Sequence, residues 1–572
     1  MPDAPAPSPS AVDLKRPCEA TRPGRRAGWS VRPATLVVLV SLWLASVGNV
    51  ALWRAMGALP ELANARGTAF MLAFGVGVAA LTALPLALLA WRWTLKPALI
   101  LFLLAAAGGA FFMLSYGIVI DRTMMVNVLL TDAREARELL SPRLWGTLAV
   151  LGVLPALVVW RLPLRWATPG RQLLHNLALA TGAVAVVVAA AGLFFGDLSS
   201  TMRNHTQLRF LINPLNSFYA LAIVGQQPVQ RSGVAVLPLG ADARLADPAA
   251  DARPPLVIMV LGETARADHM GLNGYERATT PRLAQQNVAS LRNVWSCGTN
   301  TAASVPCMFS NLGREAFEDR AANTEGLVDV LQHAGYAVLW LDNQAGGCKG
   351  VCDRVPKVDY RQLQAAAPDL CSDDECFDEV MLRGLDERIA QLPAERRARG
   401  VVVFMHQMGS HGPAYYKRTP AAFKHFTPEC TTNALQQCPR EQVVNAYDNT
   451  ILYTDHFLGQ AIDWLRTHDQ TAATALVYLS DHGESLGENN LYLHGLPYRL
   501  APDAQKRVPW ITWLSPRFEQ QSGVTVACLK TKADERLSHD HYFHTVLGLL
   551  GVHSQVRQPG LDLTATCRAA PG

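Results

Sequence analysis

Hydrophobic positions are concentrated in the first third of the chain, where five apolar runs follow one another. Each run is close to the roughly 17–25 residues that a helix needs to cross a bilayer. Several runs end in Trp or Tyr, which are enriched at the headgroup interface. The pattern predicts an α-helical five-span membrane domain over residues 34–196. The runs are 34–53, 69–91, 98–116, 144–160 and 177–195.

The hydrophobic pattern changes after the fifth run. Residues 197–253 predict a bridging helix along the membrane surface, followed by a linker rich in Ala, Asp and Pro. From 254 to 572, short β-branched runs alternate with helical patterns, which is typical of an α/β domain with a mostly parallel sheet. Polar residues follow each predicted strand, where open α/β sheets place their sites. The strands are 256–261, 337–341, 401–405 and 475–479.

Basic residues predict the orientation. Residues 1–33 form a Pro- and Arg-rich segment that we expect to be a disordered cytoplasmic tail, and the second and fourth loops also carry Lys and Arg. An odd number of spans then places residues 254–572 outside. A cleaved signal peptide is the alternative for the first run. Four further spans follow it, so we favour an uncleaved anchor.

The cysteines indicate an oxidising compartment for the second part of the chain. Of the 11 cysteines, only Cys18 precedes the membrane runs. An even number beyond them favours disulfides. Metal binding by the spaced pair at 348 and 352 is the alternative, although no matching Cys or His pair stands at finger-like spacing. Most of the cysteines after the membrane runs come in close pairs, which are Cys297/Cys307, Cys348/Cys352, Cys371/Cys376 and Cys430/Cys438. Cys528 and Cys567 remain.

Thr301 lies in a loop of small residues between two cysteines and is our candidate nucleophile. Glu263 and the pair Asp481-His482 each follow a predicted strand. Two carboxylates, one imidazole and one hydroxyl form a ligand set that zinc accepts. Zinc would also activate the threonine alcohol, which is otherwise a poor nucleophile. Taken singly, these residues could be capping, turn or structural groups; their joint occurrence favours a zinc site.

His411 and His494 form a second candidate layer, and both have glycine next to them. Either histidine could stabilise phosphoryl charge, protonate a leaving group or hold a second zinc ion. A structural role is the alternative for both. Lys349, between Cys348 and Gly350, is a candidate cation for a phosphate oxygen. Its alternative is an ordinary solvated lysine.

The segments 297–301, 304–310, 409–413 and 480–489 resemble the lipid A phosphoethanolamine transferases of Gram-negative inner membranes, the family of the colistin-resistance enzymes. The resemblance covers nearly the whole chain. It implies a multi-pass inner-membrane protein with a periplasmic domain of the alkaline phosphatase/sulfatase type. Thr301 would become loaded with phosphoethanolamine, with Glu263, Asp481 and His482 as its fellow zinc ligands. His411, His494 and Lys349 would be catalytic groups that also contact substrate phosphate.

The resemblance also implies substrate-binding residues in the segment after the third span, namely Asn127, Thr131 and Glu135. Their spacing of four predicts one shared helical face. A polar stripe that faces water is the alternative. Asn300 departs from the family pattern, which has a small residue between the two threonines, and this could alter substrate contacts.

The implied reaction moves phosphoethanolamine from phosphatidylethanolamine to a phosphate of lipid A, releases diacylglycerol and lowers the affinity for polymyxins. We expect a monomer whose partners are membrane lipids, with no nucleic acid. Transfer to a core sugar or another glycan is one alternative, and a membrane-bound phosphodiesterase or sulfatase-like hydrolase is another. The nucleophile loop lacks the Cys-x-Pro-x-Arg signature of sulfatases. A non-enzymatic sensor is disfavoured because no proposed ligand is missing.

Overall fold

A computed structural model describes residues 30–131, 133–226, 235–246, 251–344, 346–372 and 375–568, without the side chains of 133–135. The predicted cytoplasmic tail and Cys18 lie outside the described residues, apart from the last few residues of the tail.

The membrane part contains five helices that are long and apolar enough to span a bilayer, as the sequence predicts. A 3-10 turn at Val47–Asn49 interrupts the first of them. The spans are α1 (Pro33–Gly57), α2 (Ala65–Leu88), α3 (Leu95–Tyr116), α6 (Pro142–Arg161) and α7 (Pro169–Leu193). Four shorter helices accompany them, which are α4 (Arg122–Leu130), α5 (Ala133–Glu138), α8 (Phe195–Asn204) and α9 (Leu215–Gln226).

The bridging segment is two helices rather than the single helix that the sequence predicts. Asn213, between α8 and α9, is buried, and its Nδ2 donates to the carbonyls of Gly48 (2.9 Å) and Ala106 (2.7 Å). The backbone N–H of Asn213 donates to Asn49 Oδ1 at 2.9 Å. These bonds tie the bridge to the first and third spans, because a buried amide must find its partners inside the protein. Pro214 follows directly and cannot donate a helical hydrogen bond.

The shared helical face expected for Asn127, Thr131 and Glu135 is wrong. Helix α4 ends at Leu130, Thr131 is extended, and α5 starts only at Ala133. The Thr131 hydroxyl donates to the carbonyl of Asn127 at 2.8 Å. A side chain that satisfies a backbone acceptor in this way competes with continuation of the helix. Asn127 and Thr131 therefore lie at the end of one helix, and the backbone of Glu135 belongs to the next.

The second part of the chain is an α/β domain around an eight-stranded sheet. The sheet strands are β3 (Pro255–Gly262), β4 (Val288–Trp295), β6 (Ala337–Asp342), β7 (Lys357–Val358), β10 (Val401–His406), β11 (Ala473–Ser480), β14 (Arg507–Leu514) and β15 (Leu537–Ser538). Their order in the sheet is β15-β4-β14-β11-β3-β10-β6-β7, and only β14 runs against the others. The predicted fold class is therefore confirmed.

Two apolar layers cover the two faces of this sheet. Along β3, Ile258 and Val260 belong to one core, while Val257 and Met259 belong to the other. A central parallel strand is buried on both faces, so its sequence is continuously apolar. The helices of this domain are α10 (Thr301–Met308), α11 (Arg314–Glu318), α12 (Leu327–Ala334), α13 (Tyr360–Ala366), α14 (Leu385–Ala390), α15 (Ala394–Arg397), α16 (Arg440–Thr467), α17 (Pro516–Ser522), α18 (Val526–Thr531) and α19 (Tyr542–Leu549). The long helix α16 covers the first face, and α12 and α19 cover the second.

Short strand pairs complete the domain. Part of the predicted linker is built into it, since β1 (Val236–Leu237) pairs with β5 (Asn323–Thr324) and β2 (Arg244–Leu245) pairs with β16 (Val552–His553). Two hairpins pair β8 (Cys371–Ser372) with β9 (Glu375–Cys376) and β12 (Ser485–Leu486) with β13 (Tyr492–Leu493).

Candidate active site

Three parallel strands, β3, β11 and β4, deliver the candidate ligands to one edge of the sheet, with the antiparallel β14 between β11 and β4. Glu263 follows β3, and Asp481 with His482 follows β11, whose Ser480 pairs with Gly262. Thr301 begins α10, shortly after β4 has ended at the same edge. Because β3, β4 and β11 point the same way, their carboxyl ends meet. Fold topology thus brings together groups that are up to 219 positions apart in the chain.

The four predicted ligands form one compact cluster. Thr301 Oγ1 lies 3.2 Å from Glu263 Oε2 and 3.4 Å from His482 Nε2. His482 Nε2 also lies 3.4 Å from Glu263 Oε1 and from Asp481 Oδ2. A tetrahedron with zinc–ligand distances of about 2.0–2.1 Å has edges of about 3.3 Å. The observed separations match that edge, so these residues fit a zinc ion.

The ligand atoms are also oriented by their other hydrogen bonds. His482 Nδ1 donates to the carbonyl of Gly483 at 2.9 Å, which orients the ring so that Nε2 faces the cluster. Asp481 Oδ1 accepts from the backbone N–H of Thr264 (3.1 Å) and of His482 (2.7 Å). Asp481 Oδ2 is buried without a hydrogen-bond partner among the described residues. A buried carboxylate oxygen in that position calls for a cation.

The charge balance of the cluster supports the same conclusion. Burial alone would lower the pKa of His482, but the carboxylates of Asp481 and Glu263 raise it to about 10. Burial is the largest cause that raises the pKa of Asp481, and the negative charge of Glu263 raises it further. Burial opposes ionisation of Glu263 as well, yet the hydrogen bond and charge of His482 bring its pKa well below the usual range. The cluster therefore has a net demand for positive charge, which a divalent metal satisfies.

Two residues that sequence reasoning missed hold Glu263 in place. Gln344 Nε2 donates to Glu263 Oε2 at 2.9 Å, and the hydroxyl of Thr264 donates to Oε1 at 2.5 Å. Gln344 follows β6 by two residues, so its position at a strand end was the available signal. Thr264 adopts a positive φ of 60°, which directs its hydroxyl back toward Glu263.

His539 is a further residue that the sequence did not reveal. Its Nε2 donates to the carbonyl of Ser480 (3.0 Å), and its Nδ1 accepts from the backbone N–H of Cys297 (3.1 Å). Burial lowers the pKa of His539 to about 3. A neutral imidazole therefore joins the strand before Asp481 to the loop before Thr301. No motif in the sequence distinguishes this histidine.

Thr301 is held by its own loop as well. The Asn300 side chain accepts from the backbone N–H of Ala303 at 2.9 Å and caps α10. This gives a structural reason for asparagine at the position where the family pattern has a small residue. The Cys297–Cys307 disulfide closes the loop around the first turns of the helix.

All ten cysteines beyond the membrane spans form disulfides. Asp342, Cys348 and Cys352 stand close enough to hold a metal ion, but the two cysteines are bonded to each other and offer no thiolate. The metal alternative for this pair is therefore disfavoured. The bonds are Cys297–Cys307, Cys348–Cys352, Cys371–Cys376, Cys430–Cys438 and Cys528–Cys567.

His411 and His494 stand beside the cluster. The ring centroid of His494 is 4.2 Å from that of His482 and 6.2 Å from that of His411. Glu484, which sequence reasoning missed, is fully buried and places Oε1 at 3.3 Å from His494 Nδ1. Its Oε2 has no hydrogen-bond partner among the described residues. The two histidines and Glu484 together could hold a second cation.

The remaining candidates lie at the contact with the membrane part. Helix α4 packs against α10, and a cavity between them is lined by Leu130, Ala302 and Lys349. Lys349 Nζ reaches the carbonyl of Leu130 at 3.4 Å. Asn127 and Thr131 belong to the same end of α4. The Glu135 side chain lies outside the described residues.

This fold and this cluster define a membrane-attached protein of the sulfatase class of α/β domains. The sulfatase family profile matches residues 255–552, and the profile of phosphoethanolamine transferase EptA/EptB matches residues 78–229. The chain therefore belongs to the phosphoethanolamine transferase family, as its motifs and the following relatives also show.

Curated relatives and a solved structure cover almost the whole chain. Phosphoethanolamine transferase EptA of Escherichia coli K12 is 44% identical over 84% of this chain and 87% of its own length. Phosphatidylethanolamine transferase Mcr-1 of Escherichia coli is 37% identical over 91% of this chain and 96% of its own length. The structure of the integral membrane lipooligosaccharide phosphoethanolamine transferase A of Neisseria meningitidis is 35% identical, with a TM-score of 0.88 over 95% of this chain and 100% of that one.

Proposed function

We propose that this chain transfers phosphoethanolamine from phosphatidylethanolamine to a phosphate of lipid A through a covalent phosphothreonine at Thr301. The observation that carries the proposal is the position of the Thr301 hydroxyl, 3.2 Å from Glu263 and 3.4 Å from His482. The donor is supported by the similarity to Mcr-1, a phosphatidylethanolamine transferase, and a lipooligosaccharide acceptor by the similarity to the Neisseria meningitidis lipooligosaccharide phosphoethanolamine transferase.

In the first displacement, the bond from Thr301 Oγ1 to phosphorus forms while the bond from phosphorus to the diacylglycerol oxygen breaks. The Thr301 hydroxyl donates to Glu263 Oε2 at 3.2 Å, and its proton passes to water as the bond to phosphorus forms. His494, which retains some exposure beside the cluster, supplies a proton to the departing diacylglycerol oxygen. Zinc, held by Glu263, Thr301, Asp481 and His482, would supply positive charge that lowers the pKa of the hydroxyl and neutralises phosphoryl oxygens.

In the second displacement, an oxygen of the lipid A phosphate attacks the phosphorus and the bond to Thr301 breaks. Thr301 regains its proton from water, and His494 regains its proton from the incoming phosphate or from water. His411 and Lys349 bind phosphate oxygens during both steps. The product phosphate carries a cationic amine, so the membrane surface binds cationic polymyxins less tightly.

Placement in the membrane follows from the nature of both substrates, which are lipids. The protein would lie in the Gram-negative inner membrane as a monomer, with its N-terminus in the cytoplasm and residues 254–572 in the periplasm. Asn127, Thr131 and Glu135 would contact substrate where the membrane part meets α10. A second zinc ion near His411, His494 and Glu484 would assist the acceptor step.

Mass spectrometry of lipid A from a susceptible Gram-negative host that expresses the chain tests the proposal. We expect a mass gain of one phosphoethanolamine, lost in Thr301→Ala and partly retained in Thr301→Ser, which keeps a hydroxyl. The same gain on a core sugar alone would reject lipid A as acceptor. Release of free phosphoethanolamine without any acceptor product would indicate a hydrolase.

A further inference from the structure

A cavity of about 350 Å³ lies between the membrane part and the periplasmic domain. Val126 and Leu129 of α4 and Val224 of α9 form its membrane-side wall. Ala302 and Pro306 of α10 form the opposite wall. Because α10 begins at Thr301, the cavity joins apolar surface from the membrane side to the helix that carries the nucleophile.

Two cations that line this cavity have no carboxylate partner among the described residues. Arg320 donates from Nε to Asn323 Oδ1 at 3.2 Å and from Nη1 to the carbonyl of Phe317 at 2.8 Å, and both acceptors are neutral. Lys349 Nζ reaches only the neutral carbonyl of Leu130 at 3.4 Å. Neither charge is neutralised by the protein within the described part of the chain.

The acidic residues of the same cavity are engaged elsewhere. Glu325 accepts from the backbone N–H of Leu239 at 3.0 Å, and its Oε2 lies at hydrogen-bond distance, 2.8 Å, from His333 Nε2. Asp353 forms an ion pair with Lys357 at 2.8 Å. The cavity therefore combines an apolar wall with excess positive charge, which is the complement of a phosphorylated lipid.

A third cation makes the excess larger at Arg320. Burial, followed by the charge of Arg122 at the start of α4, lowers the pKa of Arg320 to about 10. Arg122 is exposed and does not line the cavity, so its charge adds to the positive potential at the half-buried Arg320 from outside. The planar fork of arginine also matches the oxygens of a phosphate. Arg320 is therefore the guanidinium that the cavity offers to an anion.

We propose that Arg320 binds a second, non-reacting phosphate of the acceptor, a bisphosphorylated glycolipid whose first phosphate reacts at Thr301. This inference rests on the proposed function. Ala302 and Phe309 both line the cavity, and seven residues of helical rise correspond to about 10 Å. The cavity thus extends along α10 away from the nucleophile, which leaves room for a second phosphate of the same acceptor.

The zwitterionic donor does not fit this role. Phosphatidylethanolamine has a single phosphate, and that phosphate must lie at Thr301 when it reacts. Its remaining charged group is an ammonium, which the cations of Arg320 and Arg122 repel. A bisphosphorylated acceptor, in contrast, retains one dianionic group while its other phosphate attacks.

The test compares two acceptors with the full-length chain in detergent micelles. One is lipid A with both phosphates, and the other is the same lipid with one phosphate. With a labelled phosphatidylethanolamine donor, we expect a kcat/KM ratio of about ten in favour of the bisphosphorylated lipid for the unmodified chain. Arg320→Gln should reduce this ratio to about one, because the rate with the bisphosphorylated lipid falls to that of the other. The control Arg314→Gln removes a nearby cation that pairs with Glu318 and lies over Tyr498, and it should keep the ratio.

Each other outcome has a definite meaning. A ratio near one in the unmodified chain, or a ratio that Arg320→Gln leaves unchanged, overturns the inference while transfer itself stands. An equal fall in both rates shows that Arg320 is structural, and this also overturns it. If the unmodified chain releases diacylglycerol but modifies neither lipid, the proposed acceptor is wrong and the inference fails with it.

Discussion

Breaking the ion pair between Glu138 and Arg418 should destabilise the contact between the membrane part and the periplasmic domain. Arg418 Nη2 lies 2.5 Å from Glu138 Oε2, with side-chain exposures of only 2% and 6%. Arg418 Nη1 also pairs with Glu375, and its Nε donates to the carbonyl of His411 at 3.0 Å. One buried guanidinium thus joins α5 of the membrane part to a candidate catalytic histidine.

The loss of unfolding free energy depends on the partners that Arg418 keeps when Glu138 is replaced by Ala. Removing one partner of a buried pair costs about 3–5 kcal/mol, because the other charge stays buried. Glu375 still neutralises Arg418, so we expect the lower end, about 3 kcal/mol. Asn433 Nδ2 donates to the backbone carbonyl of Glu138 at 2.7 Å, and that bond survives the substitution.

Unfolding by denaturant in detergent micelles, followed by tryptophan fluorescence, measures the loss. A double-mutant cycle with Arg418→Met isolates the pair, and we expect a coupling energy of at least about 1.5 kcal/mol. Glu395→Ala, which removes an exposed carboxylate on α15, should change stability by less than about 0.5 kcal/mol. Since Arg418 holds the backbone of His411, Glu138→Ala should also lower kcat. A coupling energy below about 0.5 kcal/mol would refute the reasoning.

Three further predictions concern the site itself. Glu263→Gln removes one negative charge from the ligand cluster, so the variant should bind much less zinc per chain than the unmodified protein. Mass spectrometry of the metal measures this content, and equal zinc in both proteins would contradict the assignment of Glu263 as a ligand. Burial lowers the pKa of His539 to about 3, so the folded state resists its protonation. The contribution of His539 to the free energy of unfolding should be fully present above its pKa in the unfolded state, about 6.5, and the free energy should fall by up to about 4–5 kcal/mol as the pH drops toward 3. His539→Asn should flatten this part of the curve of unfolding free energy against pH. Replacing both Cys297 and Cys307 by Ser opens a ten-residue loop, which should lower the free energy of unfolding by about 3 kcal/mol. We also expect a lower kcat, and an unchanged kcat would show that the loop does not position the nucleophile.

The sequence alone determined the features that local patterning encodes. Apolar runs of spanning length predict the five membrane helices, and strands such as 401–405 are recognisable because a strand buried on both faces is continuously apolar. Polar groups directly after those strands, such as Glu263 and Asp481, are recognisable because they stand where an apolar run ends. Parallel strands must bring their carboxyl ends to one edge, so their spatial association follows from the fold class.

Only the tertiary structure decided which distant groups support that cluster. Gln344 and His539 carry no local signal, since glutamine and histidine in loops have many ordinary roles. Arg418 meets Glu138 across 280 positions of the chain, and Arg320 shares a cavity wall with α4 only because the two parts of the chain pack together. The break at Thr131 was equally hidden, because periodicity continues through it. Helical and strand periods reflect contacts within a few residues, whereas these contacts depend on how whole elements pack, and one sequence pattern is compatible with many such packings.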